Sequence, residues 1–318
     1  MFSGYIDYLP MTDRPIIRWP DDARLALFIV PNVEFYEYTP PFNPYKNPYP
    51  RLPAHPDVIA YSHRDYGNRV GFWRMLEVFD HYGIRASVSL NVAVLDHFPE
   101  ITEEMLARNW IFMSHGIYNT RYLYGMDEEQ EREHYRDVIE TIHQHTGKRV
   151  KGMLGPSFTA SPNTPRLLAE AGFLYSLDWF VDDQPFPINV PSGKLIGVPY
   201  SSEVNDAFLF PGYPFSSFDA QEFVLICQDQ FDVLYEEGAE NGRVMCIALH
   251  PFLISQPHRQ RYLDQALNYI LGHSGVWLTT ADDIADYYVT HYYDAVVQHL
   301  RERSFARGDV TREALDAR

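Results

Sequence analysis

The stretch "IRASVSLNVAVLDHFPEITEEMLARNWIFMSHG", residues 84–116, decides the fold. Residues 84–92, "IRASVSLNV", read as a strand, and "PEITEEMLARN" (99–109) opens on proline and acids, the signals of a helix start. "WIFMS" (110–114) is a second strand. A strand, a helix and a strand this close together form a βαβ unit, which makes the two strands parallel. The second strand runs directly into His115.

The same alternation extends in both directions. Upstream, "RLALFIVPNVEF" (24–35) is a short run rich in Leu, Ile, Val and Phe, the pattern of a buried strand. It is followed by "YEYTPPFNPYKNPYPRLPAHPDVIAYSHRDYGN" (36–68), whose prolines and tyrosines predict a long irregular loop over about 36–66. Loops of that length in a compact domain are usually functional. "RVGFWRMLEVFDHYG" (69–83) has apolar residues at helical spacing and a glycine stop. Downstream, helices are expected at 127–147, 161–172, 218–238 and 258–273, with a closing helix from 281. Strands are expected at "RVKGMLGP" (149–156), "FLYSLD" (173–178), "RVMCIALHP" (243–251) and "VWLTT" (276–280). About seven βα units and no second domain's worth of linker predict one α/β domain over residues 1–318, a closed or nearly closed (β/α) barrel with an extended N-terminal segment. The tail 308–318 is expected to fray.

Composition excludes several function classes. Acids outnumber bases 43 to 26, a formal net charge of −17, which argues against nucleic acid or an anionic membrane as partner, because both are held by Lys and Arg. A small-molecule substrate fits better. Cys227 and Cys246 lie in apolar runs and read as buried thiols. The first twenty residues carry neither a basic n-region nor an apolar h-region, and no run approaches the roughly twenty apolar residues of a membrane span. The expectation is a cytoplasmic protein.

In parallel β/α folds the reacting groups collect where strands end. The residues just past each predicted strand are Asn32 and Glu34, then His115 and Asn119, then Ser157 and Phe158, then Asp178, Asp182 and Asp183, and finally His250. Two histidines at two strand exits, in "MSHG" and "ALHP", point to a shared site. Alternation places Glu34 on the same side of its strand as Asn32. Asp178, nearest its strand, is the carboxylate best placed to sit beside an imidazole. His258, and His63, Arg64 and Asp65 in the long loop, could also reach the rim. Helical His134, His143 and His145 read as surface residues.

These residues also carry a family resemblance. Taken in order, "PNVE", "SHGIYN", "KGMLGPSFTASPNT", "LDWFVDDQPF" and "ALHPFLISQPHR" resemble the polysaccharide deacetylase superfamily, whose fold is an irregular, usually seven-stranded (β/α) barrel. "YGNRVGFWRMLEVF", "SHG" with "MDEEQEREH", and "FDVLYEEGAE" are similar to stretches of its allantoinase-like branch, which acts in purine utilisation. The resemblance spans about residues 15–300.

It implies that the general-base position of metal-dependent members falls on Asn32, the metal carboxylate on Glu34, and the histidine pair on His115 and Asn119. An amide cannot accept a proton at neutral pH and is a weak zinc ligand. So either no metal or one weakly held divalent ion, at Glu34 and His115, is expected. The arginine usual in the third motif is absent from "MLGPSFT". His250 matches the family's catalytic histidine, with an aspartate of "LDWFVDD", Asp178 first, as its orienting partner. The resemblance also implies a homo-oligomer, a dimer or tetramer.

The expected chemistry is hydrolysis of a non-peptide C–N bond in a small amide, cyclic amide or ureide. His250 tuned by Asp178 is the acid, His115 and Glu34 activate water, and Asn32 or Asn119 donates to the oxyanion. Asn119, Ser157, Phe158, Asp182, Asp183 and His258 are the expected substrate contacts. A metal-dependent carbohydrate N-deacetylase and a catalytically silent barrel kept for binding are the alternatives.

Overall fold

A computed structural model describes residues 4–41, 55–210 and 219–307. Among them nine strands form one curled sheet: β1 (Leu25–Val33), β2 (Ser87–Leu90), β3 (Ile111–Ser114), β4 (Gly152–Met153), β5 (Tyr175–Ser176), β6 (Phe186–Ile188), β7 (Leu195–Gly197), β8 (Arg243–Leu249) and β9 (Val276–Thr279). The order is β6-β7-β5-β4-β3-β2-β1-β8, all parallel except the β6–β7 hairpin, and β9 pairs with the first half of β1. The architecture is the irregular (β/α) barrel expected. Strands beyond the expected seven come largely from the β6–β7 pair at 186–197, too short to show a period in sequence. No ladder joins β7 to β8 among the described residues; Asn205 bridges to Ala248 there instead.

Strand alternation sorts the core into two layers. Leu25, Leu27, Ile29 and Val33 of β1 pack outward with Met245, Ile247 and Leu249 of β8 and the apolar faces of the helices. Ala26, Phe28 and Val30 pack inward with Ile111, Met113, Tyr175, Ile196, Cys246 and Ala248, filling the barrel. Cys227 and Cys246 are both free and buried. No helix among the described residues is long and apolar enough to cross a membrane.

Three expectations change. The long loop is not irregular throughout: Val58–Tyr66 is a helix, started by the Asp57 side chain accepting from Ala60 N at 2.9 Å. It runs through a π turn, Gly67–Gly71, into the helix Phe72–Tyr82. Gly71 permits that course, because a Cβ there would meet the Pro251 carbonyl oxygen at 2.1 Å. Residues 42–54 of the loop, and the tail 308–318, lie outside the described residues. His134 is buried, not on the surface; its ring packs against Gly116, one residue past His115. The closing helix is two, Ala281–His291 and Tyr293–Arg307, separated at Tyr292.

Candidate active site

The inward phase of three strands converges beyond their C-terminal ends. On β1 the inward series Phe28, Val30 continues to Asn32 and Glu34; on β3, Ile111 and Met113 lead to His115; on β8, Cys246 and Ala248 lead to His250. Because the strands are parallel and adjacent or nearly so, the three ends meet. Glu34 Oε1 stands 3.4 Å from His250 Nε2 and 3.7 Å from His115 Nε2. All three residues are buried.

The two imidazoles are held differently. His115 Nδ1 lies 2.8 Å from the Leu154 carbonyl oxygen, which can only accept, so Nδ1 carries the proton and Nε2 faces Glu34. His250 Nδ1 lies 2.7 Å from Asp206 Oδ1, while the other oxygen of that fully buried carboxylate accepts from His250 N at 2.8 Å and Ile254 N at 3.2 Å. Burial alone would push the His250 ring toward the neutral form. The Asp206 charge and hydrogen bond, then Glu34, outweigh it and raise the ring's pKa to about 9. Burial pushes the Glu34 carboxyl up, but hydrogen bonds and charge from His115 and His250 hold it well below the usual carboxylate range. The cluster therefore presents an anionic carboxylate between the protonated His250 imidazole and the His115 ring, whose Nδ1 is committed to the Leu154 carbonyl.

Several expected placements are corrected by this geometry. Asp178 does not touch His250: its carboxylate accepts from Gly155 N at 2.8 Å and Ser176 Oγ at 3.1 Å, and burial pushes it up to about 6. It lies two residues past β5, a strand separated from β8 by four others. Asp206, at the start of the short helix Asp206–Leu209, takes the place beside His250. Asn32 directs Nδ2 at Tyr200 Oη and Leu249 O, both at 3.3 Å, so its donors are engaged within the barrel. Asn119 donates from Nδ2 to Tyr36 Oη at 3.1 Å, which leaves its buried Oδ1 without a partner among the described residues.

Ser157 and Phe158 adopt left-handed φ values of 52° and 55°. That turn sets Phe158 among Phe180, Tyr200 and Phe208, with centroids 4.9 to 6.0 Å away. Asp182 and Asp183 lie at the other end of the barrel: Asp182 pairs with Arg14 at 2.6 Å, and the Asp183 carbonyl accepts from Val244 N, six residues before His250 on β8. They line a cavity of about 230 Å³ that Phe180, Tyr200 and Cys246 also line. His258 is exposed. One residue that reads in sequence as a loop charge enters the cluster instead. Arg64 lies on the helix Val58–Tyr66, its Cζ 4.1 Å from the Tyr36 ring centroid and 4.7 Å from that of Phe252, with Nε 4.0 Å from Glu34 Oε2.

The divalent ion implied by the resemblance does not fit these residues. Zinc takes four donors, commonly three or four of them His, Cys or carboxylate, and no group of three such side chains among the described residues is arranged to hold a metal. The position that the resemblance gives to a third ligand is the Asn119 amide, and the Arg64 guanidinium stands 4.0 Å from the Glu34 carboxylate.

Comparison with known proteins agrees with this architecture. Residues 55–176 match the family described as "Polysaccharide deacetylase". The crystal structure of Puue allantoinase superposes with a TM-score of 0.77 at 30% identity, covering 90% of this chain and 99% of that one. A "probable Polysaccharide deacetylase" from Pseudomonas aeruginosa PAO1 gives 0.74 at 30% identity, covering 87% and 95%. A curated protein of Schizosaccharomyces pombe named for the same family is 28% identical over 297 residues, 84% of this chain and 91% of its own length. With the barrel, its strand order and two relatives at 30% identity over nearly their whole length, this chain belongs to the polysaccharide deacetylase family, hydrolases of carbon–nitrogen bonds other than peptide bonds.

Proposed function

We propose that this protein hydrolyses the C–N bond of a small amide, cyclic amide or ureide by direct attack of water. The observation that carries the reading is the Glu34 carboxylate set between His250 Nε2 at 3.4 Å and His115 Nε2 at 3.7 Å. With Nδ1 held on the Leu154 carbonyl, the His115 ring turns Nε2 toward Glu34, and a water hydrogen-bonded to both Nε2 and Glu34 is aligned for attack. Its oxygen adds to the carbonyl carbon as His115 takes its proton. When the tetrahedral intermediate collapses, the C–N bond breaks and the departing nitrogen takes the proton of the His250 imidazolium, which Asp206 holds in place. His115 ends with one proton more and His250 with one fewer, and exchange with solvent, His115 releasing its proton and His250 regaining one, restores the site for the next turnover.

The aromatic group Phe158, Phe180, Tyr200 and Phe208 supports a small, flat, partly apolar substrate beside these groups. Self-association as a dimer or tetramer is carried over from the family resemblance, and light scattering on the purified chain tests it. The reaction is tested by turnover of a panel of amides, lactams and ureides by the wild type and by His250→Ala, with and without chelator. Loss of a general acid is worth roughly 10² to 10⁴ in rate, and a chelator is expected to change nothing. A wild type inert toward the whole panel, or His250→Ala as active as wild type, rules the reading out.

A further inference from the structure

His250 and Asp206 meet across a break in the sheet. No ladder joins β7 to β8 among the described residues, and what runs beside β8 instead is the segment that brings Asp206 to His250. Its backbone touches β8 at Ala248, through the Asn205 bridge and through Ala248 N donating to Val204 O at 3.2 Å. That is one bridge, against seven paired residues between β8 and β1. The segment's further anchors are side chains, and they meet at one atom, Tyr200 Oη.

Asn205 Nδ2 donates to that oxygen at 3.2 Å and Asn32 Nδ2 at 3.3 Å. Asn205 caps the helix that Asp206 opens, its Oδ1 accepting from Ala207 N at 2.9 Å. Asn32 also donates to the Leu249 carbonyl, 3.3 Å away and one residue before His250. An amide nitrogen carries two hydrogens, so both contacts of Asn32 are made at once. The phenol oxygen is thus tied on one side to the helix that carries Asp206 and on the other to the strand end that carries His250. Asn32, Tyr200, Asn205 and Asp206 are all buried, so removing the hydroxyl leaves two amide N–H groups unpaired out of reach of water. The Tyr200 ring has contacts that do not need the oxygen, its centroid lying 5.9 Å from those of Phe158 and Phe180.

We propose that Tyr200 is a positioning residue: its hydroxyl clamps the β7–β8 seam and thereby sets the Asp206 carboxylate on His250 Nδ1. The clamp makes and breaks no bond of the substrate; it acts through Asp206 on the group that protonates the departing nitrogen. The geometric claim stands on the bonds at Tyr200 Oη, and only its effect on rate rests on the hydrolytic reading.

Tyr200→Phe removes the oxygen and keeps the ring, and two readouts on the full chain test it. The first needs no substrate: proton NMR of the His250 Nδ1–H, which a bond to a carboxylate at 2.7 Å deshields and protects from exchange, identified by its absence from His250→Ala. The signal is expected in wild type, and shifted upfield or lost to exchange in Tyr200→Phe. The second is hydrolysis of whichever member of the amide panel turns over fastest. There kcat is expected to fall about tenfold, the effect of roughly one buried hydrogen bond, with KM unchanged because the ring is intact. Asn205→Ser keeps a capping oxygen but loses the amide N–H, and is expected to show the same two changes; the double variant should lose no more than the worse single one. It also carries the test should Tyr200→Phe fail to fold. The inference is overturned by a signal and kcat unchanged in either folded variant, by a loss of thermal stability alone, or by a rise in KM at constant kcat, which would make Tyr200 only a substrate contact. Absence of the signal from wild type overturns it too. A Tyr200-dependent signal in a protein inert toward every amide leaves the clamp standing and removes the hydrolytic reading. Turnover that needs His250, with signal and kcat indifferent to Tyr200, does the reverse.

Discussion

His250 keeps its proton to higher pH than a free imidazole because two carboxylates outweigh the cost of burying it. As an acid it works only while protonated, so kcat/KM is expected to fall on the alkaline side with an inflection near pH 9. Asp206→Asn removes the carboxylate with the larger effect on His250 and leaves burial in place. Its alkaline limb should move down by a unit or more, measured as the kcat/KM profile of both forms; a limb that stays near 9 would remove Asp206 from this role. By linkage, the raised pKa stabilises the fold fully below the free imidazole's value of about 6.5, and that contribution is lost as pH rises through about 9. Glu34, His115 and His250 were legible in the sequence, because parity along a buried strand tells which side chains share a face. Asp206 was not: the pairing spans 44 residues, and nothing in "EVNDAF" distinguishes that aspartate from those in "LDWFVDD". Arg64 stands in the sequence as a loop residue able to reach the rim, but what holds it there is not legible, since the Tyr36 and Phe252 rings come from other elements.

At the scale of elements, the segment 58–82 connects the loop to the site. Its first helix carries Arg64 and its π turn packs Gly71 against the turn that begins with His250 and Pro251. Gly71→Ala pushes a methyl into the Pro251 carbonyl, a backbone atom that cannot rotate away. Overpacking of this kind costs about 1–3 kcal/mol. The variant is expected to lose that much in a urea titration and to lose activity as well, since the strain falls on the residue next to His250. Unchanged stability would mean that the two segments are not locked together. The helix itself escaped the sequence reading because "PDVIAYSHRDYG" follows a dense run of prolines and tyrosines, and the signal that starts it is a single Asp57 cap. His134 escaped because its helix is acidic and mostly exposed, and only packing against Gly116 makes its position interior.

At the scale of the molecule, β1 joins the two core layers and the site. It pairs with β8 along seven residues and with β2 and β9 on its other edge, and its inward face ends in Asn32 and Glu34. Phe28 is fully buried on that inward face. Phe28→Ala is expected to cost about 3–5 kcal/mol, read as a lower denaturation midpoint at unchanged slope. A loss below 1 kcal/mol would show that the barrel interior is not packed as described. Surface charge works at the same scale. A formal net charge of −17 repels polyanions, consistent with a small ligand handled in the interior.

What the sequence determined alone is whatever depends on neighbours a few residues apart: the alternation of strands and helices, the helix expected over 127–147, and the side of each strand on which Glu34, His115 and His250 stand. What only the tertiary structure decided is which distant groups meet those three. Asp206 instead of Asp178 beside His250, Arg64 at Glu34, and the removal of Asp182 and Asp183 to the far end of β8 all follow from strand order and loop paths. The physical reason is that periodicity is local, fixed by backbone geometry at two or 3.6 residues, whereas the partner of a buried charge is selected by whichever element the whole fold brings within about 4 Å of it.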